Sequence, residues 1–145
     1  MELHDLTTSH VSALIRDGEI SPVELMRHLL EQIRNLEPQL KAWVTLNEKT
    51  SLDQARESEK ELRAQGPRGM LHGVPIGIKD IYYTKDMPTT ACTPQYAGFI
   101  PSYDATSITK LKAAGAIILG KTVTTQFAAT DPSPTINPWN RDHTP

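Results

Sequence analysis

At 145 residues the chain is long enough to bury one modest core, and its 38% hydrophobic and 22% charged residues are those of an ordinary folded domain. Its 15 Lys and Arg against 17 Asp and Glu leave a formal charge of -2, which offers no long-range attraction to nucleic acid or an anionic membrane. Cys92 is the single cysteine, so an internal disulfide and a cysteine-built zinc site are both excluded.

The opening residues Glu2, Leu3, His4 and Asp5 lack the basic region and apolar run of a signal peptide. The longest apolar run, residues 113–119, is too short to span a bilayer, so a cytoplasmic protein is expected. Helical signals fill the first third. Leu6 precedes Thr7, a capping residue, and Val11 stands four positions past that cap, as in a hydrophobic staple. Val11, Leu14 and Ile15 make a short apolar stripe that Gly18 can end.

A second helix is better marked, with Ser21 as N-cap, Pro22 at the first helical position and Glu24 in the capping-box place. Ile20 and Leu25 are placed as its staple. Leu25, Met26, Leu29, Leu30, Ile33 and Leu36 recur at helical spacing and are read as core, and Pro38 as the stop. Residues 42–46 have the pattern of a strand. Residues 51–64 read as a third helix with Leu52, Ala55 and Leu62 on one side, and residues 66–69 as a turn into the apolar segment 74–78.

From 84 to 101 the period is broken by Pro88, Pro94, Gly98 and Pro101, and a long connection is expected, of the kind that often binds ligands in compact enzymes. Asp104 is placed to cap a helix holding Ile108 and Leu111, with Gly115 ending it and residues 116–119 forming a buried strand. Beyond residue 125 the chain is rich in turns around Pro132, Pro134 and Pro138. Helices alternating with short apolar strands make the fold class α/β.

Lys79 closes the apolar segment Gly73-Val74-Pro75-Ile76-Gly77-Ile78, which should be buried in a sheet. An ammonium there is costly unless carboxylates or hydroxyls surround it. A lysine pushed toward neutrality becomes a proton acceptor, and in amide cleavage such a base takes the proton of a serine nucleophile, directly or through another hydroxyl. A lysine at a strand end that simply reaches solvent fits the same letters. Composition and position leave both readings open.

The residues around Lys79 are more telling as an ordered set. Leu71-His72-Gly73-Val74-Pro75 and Gly77-Ile78-Lys79-Asp80 are followed by Pro88-Thr89-Thr90, Asp104-Ala105-Thr106, Leu111 and Ala114-Gly115-Ala116. Then come Leu119-Gly120-Lys121-Thr122, Asn137-Pro138-Trp139-Asn140 and His143-Thr144-Pro145, with Ser21-Pro22-Val23-Glu24-Leu25 and Ala42-Trp43-Val44 upstream. In this order and spacing they resemble the amidase signature family, over nearly the whole chain.

The resemblance implies a large mixed β-sheet covered by helices, on a much longer chain of which this sequence looks like the amino-terminal part. Residues 1–66 would be a mainly helical region and residues 71–145 the start of the core signature region. Members of the family use a nucleophilic serine, a second serine with a cis peptide bond, and a lysine. By likeness Lys79 is that catalytic lysine, with Asp80 its structural companion.

The Gly/Ser-rich loop that supplies the serines would follow Pro145, so this chain alone is expected to be inactive. Ser102, Ser107 and Ser133 do not match the nucleophile. The activity implied for the complete enzyme is hydrolysis of carboxylic amides to carboxylate and ammonia or amine. Its expected partners are a small-molecule amide and the remainder of the domain, with a homodimer open and neither nucleic acid nor membrane. Gln126, where many relatives have glutamate, and residues 128–131 place the chain nearer to general amidases than to the glutamine-hydrolysing subunits of tRNA amidotransferases. A non-catalytic scaffold built on the same fold is the third reading.

Residues 115–122 also satisfy the phosphate-loop pattern G-x-x-x-x-G-K-[ST]. The four intervening residues are themselves read as the strand, with a turn after it, which leaves no loop to cradle a phosphate. His4, His10, His28, His72 and His143 have no ligand spacing, so neither metal nor cofactor is implied. Cys92 is read as an inert small residue and Trp139 as a loop anchor. Thr124, Thr125 and Gln126 are read as a cap for the next helix, with an approach to the active-site cleft of the complete fold as the other reading.

Overall fold

In the computed structural model of the protein, the described residues are 2–145. Four helices and three strands alternate: α1 (Thr8–Arg16), α2 (Pro22–Leu40), β1 (Trp43–Leu46), α3 (Glu48–Gln65), β2 (Pro75–Lys79), α4 (Thr106–Ala113) and β3 (Ile117–Thr122). The fold is α/β, with short 3-10 turns at Leu3–Asp5, Pro94–Tyr96 and Gln126–Ala128. Two compact units share these elements. One comprises the residues up to Ile33 with Asn47–Ile76 and Thr109–Leu119, the other Arg34–Leu46, Gly77–Ile108 and Gly120–Pro145.

The first unit is built on the apolar stripes of its helices. Val11, Ile15, Leu25 and Val74 form a buried cluster, and Leu3, Leu6, Ile20, Leu29, Leu62 and Leu71 pack against it. Burial of each such aliphatic side chain is worth about 1.5–3 kcal/mol. Leu6 and Val11, and Ile20 and Leu25, share that cluster, as the two staples require. Thr7 Oγ1 accepts the His10 N–H to open α1, and Gly18 follows the helix in the left-handed region at φ 76.

At the head of α2, Ser21 Oγ accepts the N–H groups of Val23 and Glu24 at 3.0 and 3.4 Å and donates to the Glu59 carboxylate of α3 at 2.5 Å. One hydroxyl therefore caps one helix and fastens it to another. His72 is buried, with Nδ1 accepting the Arg68 N–H at 3.1 Å and Nε2 at 2.9 Å from the Ser58 carbonyl. A carbonyl can only accept, so the hydrogen of this imidazole sits on Nε2.

The second unit corrects several sequence expectations. Helix α2 runs through Pro38 to Leu40. Pro38 lacks a helical N–H and crowds the turn before it, a local cost that does not keep Gln39 and Leu40 from continuing the helix. The stop is Lys41, left-handed at φ 52, whose N–H binds the Glu37 carbonyl at 2.9 Å. The Glu37 carboxylate then takes the N–H groups of Ala42 and Trp43 at 3.1 and 3.0 Å, leading the chain into β1. Leu36, expected in the core, is 47% exposed. In the first unit, α3 likewise starts at Glu48, earlier than its apolar spacing indicated.

The strands lie in the order β1-β3-β2. β1 and β3 are antiparallel, pairing Trp43 with Thr122, Thr45 with Lys121 and Leu46 with Gly120. β2 and β3 run parallel, since the Ile117 N–H binds the Val74 carbonyl at one end and the Asp80 N–H binds Thr122 at the other. The crossover that parallel strands require is the long connection plus α4.

Strand β3 continues through Gly120 and Lys121 to Thr122, beyond the end expected at Leu119. The glycine permits this: a Cβ on Gly120 would stand 2.1 Å from the Thr45 carbonyl oxygen of β1. Gly120 and Lys121 are thus strand residues, and no phosphate loop exists here.

The connection between β2 and α4 is irregular yet tied down. Thr89 donates its N–H to Phe99 O at 2.9 Å, Ala105 to Tyr83 O at 2.8 Å and Lys85 to the Asp104 carboxylate at 2.7 Å. Partly exposed rings touch in a row, Tyr103 to Tyr83 to Phe99 to Tyr96 to Phe127, with centroids 5.4 to 6.0 Å apart. The indole of Trp43 packs over Gly77, where a Cβ would meet its ring at 2.8 Å. Trp139, expected to anchor a loop, is instead 94% exposed. Among the described residues no helix is long and apolar enough to cross a membrane.

Candidate active site

Lys79 is the last residue of β2, and its side chain is exposed, not buried as the apolar run before it suggested. The reason is strand alternation: Ile78 and Asp80 turn inward, so Lys79 turns outward. Its backbone is well fixed. The Lys79 carbonyl accepts the N–H groups of Ile81 and Tyr82 at 2.8 and 3.1 Å, turning the chain sharply out of the strand.

The buried charge of this region is on β3. Lys121 and Asp80 both have fully buried side chains and form an ion pair at 3.3 Å. Lys121 Nζ also donates to the Thr89 hydroxyl at 2.7 Å, to the Tyr82 carbonyl at 2.9 Å and to the Pro88 carbonyl at 3.5 Å. Desolvation pushes its pKa below the ordinary lysine value, and the Asp80 carboxylate pulls it back up. On the other side of Asp80, Oδ2 accepts the Thr90 N–H at 3.1 Å and the Thr90 hydroxyl.

Two nearby segments hold residues with side chains in left-handed backbone: Ala91 and Cys92, and Phe127 and Ala128. They are joined by the Phe127 N–H to the Ala91 carbonyl at 2.9 Å and by Gln126 Nε2 to Thr93 Oγ1 at 3.4 Å. Thr125 precedes the 3-10 turn Gln126–Ala128 without a side-chain capping bond, and its hydroxyl donates to Ala129 O. Capping by this threonine, expected from the letters, is therefore replaced by a bond across the turn.

Chemically the region divides in two. Lys121 is enclosed by oxygens of Asp80, Tyr82, Pro88 and Thr89 and has no open side for a substrate proton. Lys79 presents an amine on the opposite face of the same chain turn. Sequence reasoning singled out Lys79 and a structural Asp80 but missed Lys121. The signal was present, because a lysine within the buried run Ile117-Ile118-Leu119-Gly120-Lys121 demands a carboxylate, and Asp80 was available.

An α/β segment carrying a strand-end lysine, a buried acid beside it and a tied-down connection after it matches known proteins in sequence and structure. A sequence profile of the Amidase family matches residues 24–145. The chain is 40% identical to a glutamyl-tRNA(Gln) amidotransferase subunit from Desulfatibacillum aliphaticivorans, a match covering 100% of the chain and 31% of that protein. It is 39% identical to the putative amidase AmiD of Mycobacterium tuberculosis (strain ATCC 25618 / H37Rv), covering 93% of the chain and 29% of that protein.

Among solved structures, the native peptide amidase from Stenotrophomonas maltophilia superposes with a TM-score of 0.81 at 32% identity, over 92% of this chain and 28% of that one. The chain belongs to the Amidase family. It spans under a third of the length of these relatives, and general amidases and amidotransferase subunits match it almost equally.

Proposed function

We propose that this segment is the amino-terminal part of a single amidase domain and that Lys79 is the proton acceptor of its serine-dependent amide hydrolysis. The observation that carries this reading is the ordered motif set around Lys79 within a family match covering residues 24–145. The Lys79 amine takes a proton relayed from the nucleophilic serine through a second serine held by a cis peptide bond, both expected from sequence outside these 145 residues. The serine attacks the amide carbonyl, and backbone N–H groups stabilise the oxyanion. Ammonia or an amine leaves, and water then hydrolyses the acyl-enzyme to the carboxylate.

The exposed position of Lys79 suits this role, because a general base must come within hydrogen-bond reach of a hydroxyl that lies on another part of the domain. In the full-length protein, Lys79→Ala is expected to lower kcat for amide hydrolysis by about 10²–10⁴-fold while leaving the thermal midpoint near that of the parent. Amide turnover at the parental rate in a folded Lys79→Ala protein would sink the assignment.

A second reading is supported by the 40% identity to an amidotransferase component, in which the same machinery would release ammonia from glutamine. Gln126 and residues 128–131 depart from the pattern of that group, so a general amidase is placed first. Purification of the full-length protein, followed by assays on simple aryl and aliphatic amides and on glutamine, separates them. Stable co-purification with partner proteins and glutamine-restricted turnover would favour the amidotransferase.

A further inference from the structure

Lys79 and Asp80 are consecutive on one strand end, one exposed and one fully buried. Asp80's backbone groups and Oδ2 are hydrogen-bonded, and buried Oδ1 has no hydrogen bond among the described residues, only the ion-pair contact with Lys121 at 3.3 Å. The Asp80 N–H donates to Thr122 O at 2.9 Å and its carbonyl accepts the Ala91 N–H at 3.0 Å. Its Oδ2 holds Thr90, and its Oδ1 faces Lys121. Lys121 in turn grips the connection at Tyr82, Pro88 and Thr89. The residue after Lys79 is therefore clamped from β3 on one side and from the returning connection on the other.

The clamp also holds strained backbone. Ala91 and Cys92 are left-handed at φ 49 and 53, which costs a side-chain-bearing residue about 1–3 kcal/mol. They are kept there by Asp80, which takes the Ala91 N–H, and by Thr90 Oγ1, which takes the Cys92 N–H at 3.3 Å. A buried ion pair is a poor source of net stability, since well-packed apolar residues of similar volume often serve as well. What such a pair does supply is direction: two charges that must meet fix the strand end and the loop against each other.

We propose that the Asp80–Lys121 pair, locked by Thr89 and Thr90, is the positioning element of the catalytic lysine, setting the line along which the Lys79 amine leaves β2. This rests on the reading of Lys79 as the base. Lys121 touches neither substrate nor reacting atoms. It acts through Asp80 on the backbone of Lys79, and a misaimed amine transfers protons poorly while substrate binding is spared.

The test uses the full-length protein and benzamide or glutamine, whichever the parent hydrolyses. Asp80→Asn is made in the parental and in the Lys79→Ala backgrounds, with kcat and KM followed across pH. With Lys79 present, the substitution is expected to lower kcat at least about tenfold, change KM less than about threefold, and move the acid limb of the kcat profile. In the Lys79→Ala background it should change the residual rate less than about twofold, because its effect passes through the missing amine.

An equal loss in both backgrounds overturns the proposal, as does a folded Asp80→Asn protein with parental kcat and pH profile. Parental activity in Lys79→Ala alone sinks the reading of Lys79 itself, a different outcome. If Asp80→Asn does not fold, Thr89→Val and Thr90→Val each remove one partner and keep the ion pair. A smaller shift of the same profile in either supports the proposal, and unchanged profiles in both overturn it.

Discussion

Desolvation draws the Lys121 ammonium below the ordinary lysine range, while Asp80, 3.3 Å away, draws it back up. In the unfolded chain the same group titrates at the ordinary lysine value, about 10.4. Between the depressed folded value and that one, the unfolded state holds more protons on this side chain, so the site's contribution to stability rises with pH. Lys121→Met should cost this chain about 3–5 kcal/mol at neutral pH, because it removes one member of a fully buried ion pair. The deficit should be larger at pH 10 than at pH 7. Urea denaturation of both proteins at the two pH values measures it, and a gap that narrows toward pH 10 would contradict the sign. At this scale the letters were half legible. Motif order singled out Lys79 and a structural Asp80, and Asp80 is indeed buried, whereas its partner lies far along the chain at Lys121, and only the fold brings the two together.

At the scale of elements, most starts were legible and most ends were not. Thr7 and Ser21 announce α1 and α2 because capping is local chemistry between neighbouring residues. The end of α2 was misplaced because Pro38 is a weaker stop than a left-handed Lys41 backed by Glu37. The end of β3 was misplaced because Gly120 and Lys121 look like a turn until β1 is laid beside them. That register makes a prediction. Gly120→Ala would drive a Cβ into the Thr45 carbonyl and should lower stability by about 1–3 kcal/mol or more. Gly66→Ala, where no atom lies within 4 Å of the added carbon, carries only the backbone strain of φ 80 and ψ -175, a region almost reserved for glycine, about 1–3 kcal/mol. A parental urea midpoint for Gly120→Ala would show that β1 does not lie on β3 as described.

For the molecule as a whole, the fold class was legible because helical and strand periods alternate cleanly along the chain. The long connection was legible only as the absence of a period. What orders it is a set of tertiary bonds and ring contacts that no local pattern encodes, such as Thr89 to Phe99 and Tyr83 to Tyr103. The matched relatives are more than three times the matched length, and under the proposed function the candidate site is one part of a larger arrangement. The 145-residue chain alone is accordingly expected to show no acyl-enzyme burst with an activated aryl ester. A stoichiometric burst would mean that a serine within these residues is the nucleophile.

The two tryptophans have an optical consequence. Trp43 is packed over Gly77, and Trp139 is 94% exposed, so the emission of the protein is the sum of two differently solvated indoles. A water-soluble quencher such as iodide reaches the second and is obstructed at the first. The fraction of light that resists quenching therefore reports the β1–β3–β2 sheet, while the quenchable, red-shifted fraction reports whatever comes to rest on the turn around Asn137 and Asn140.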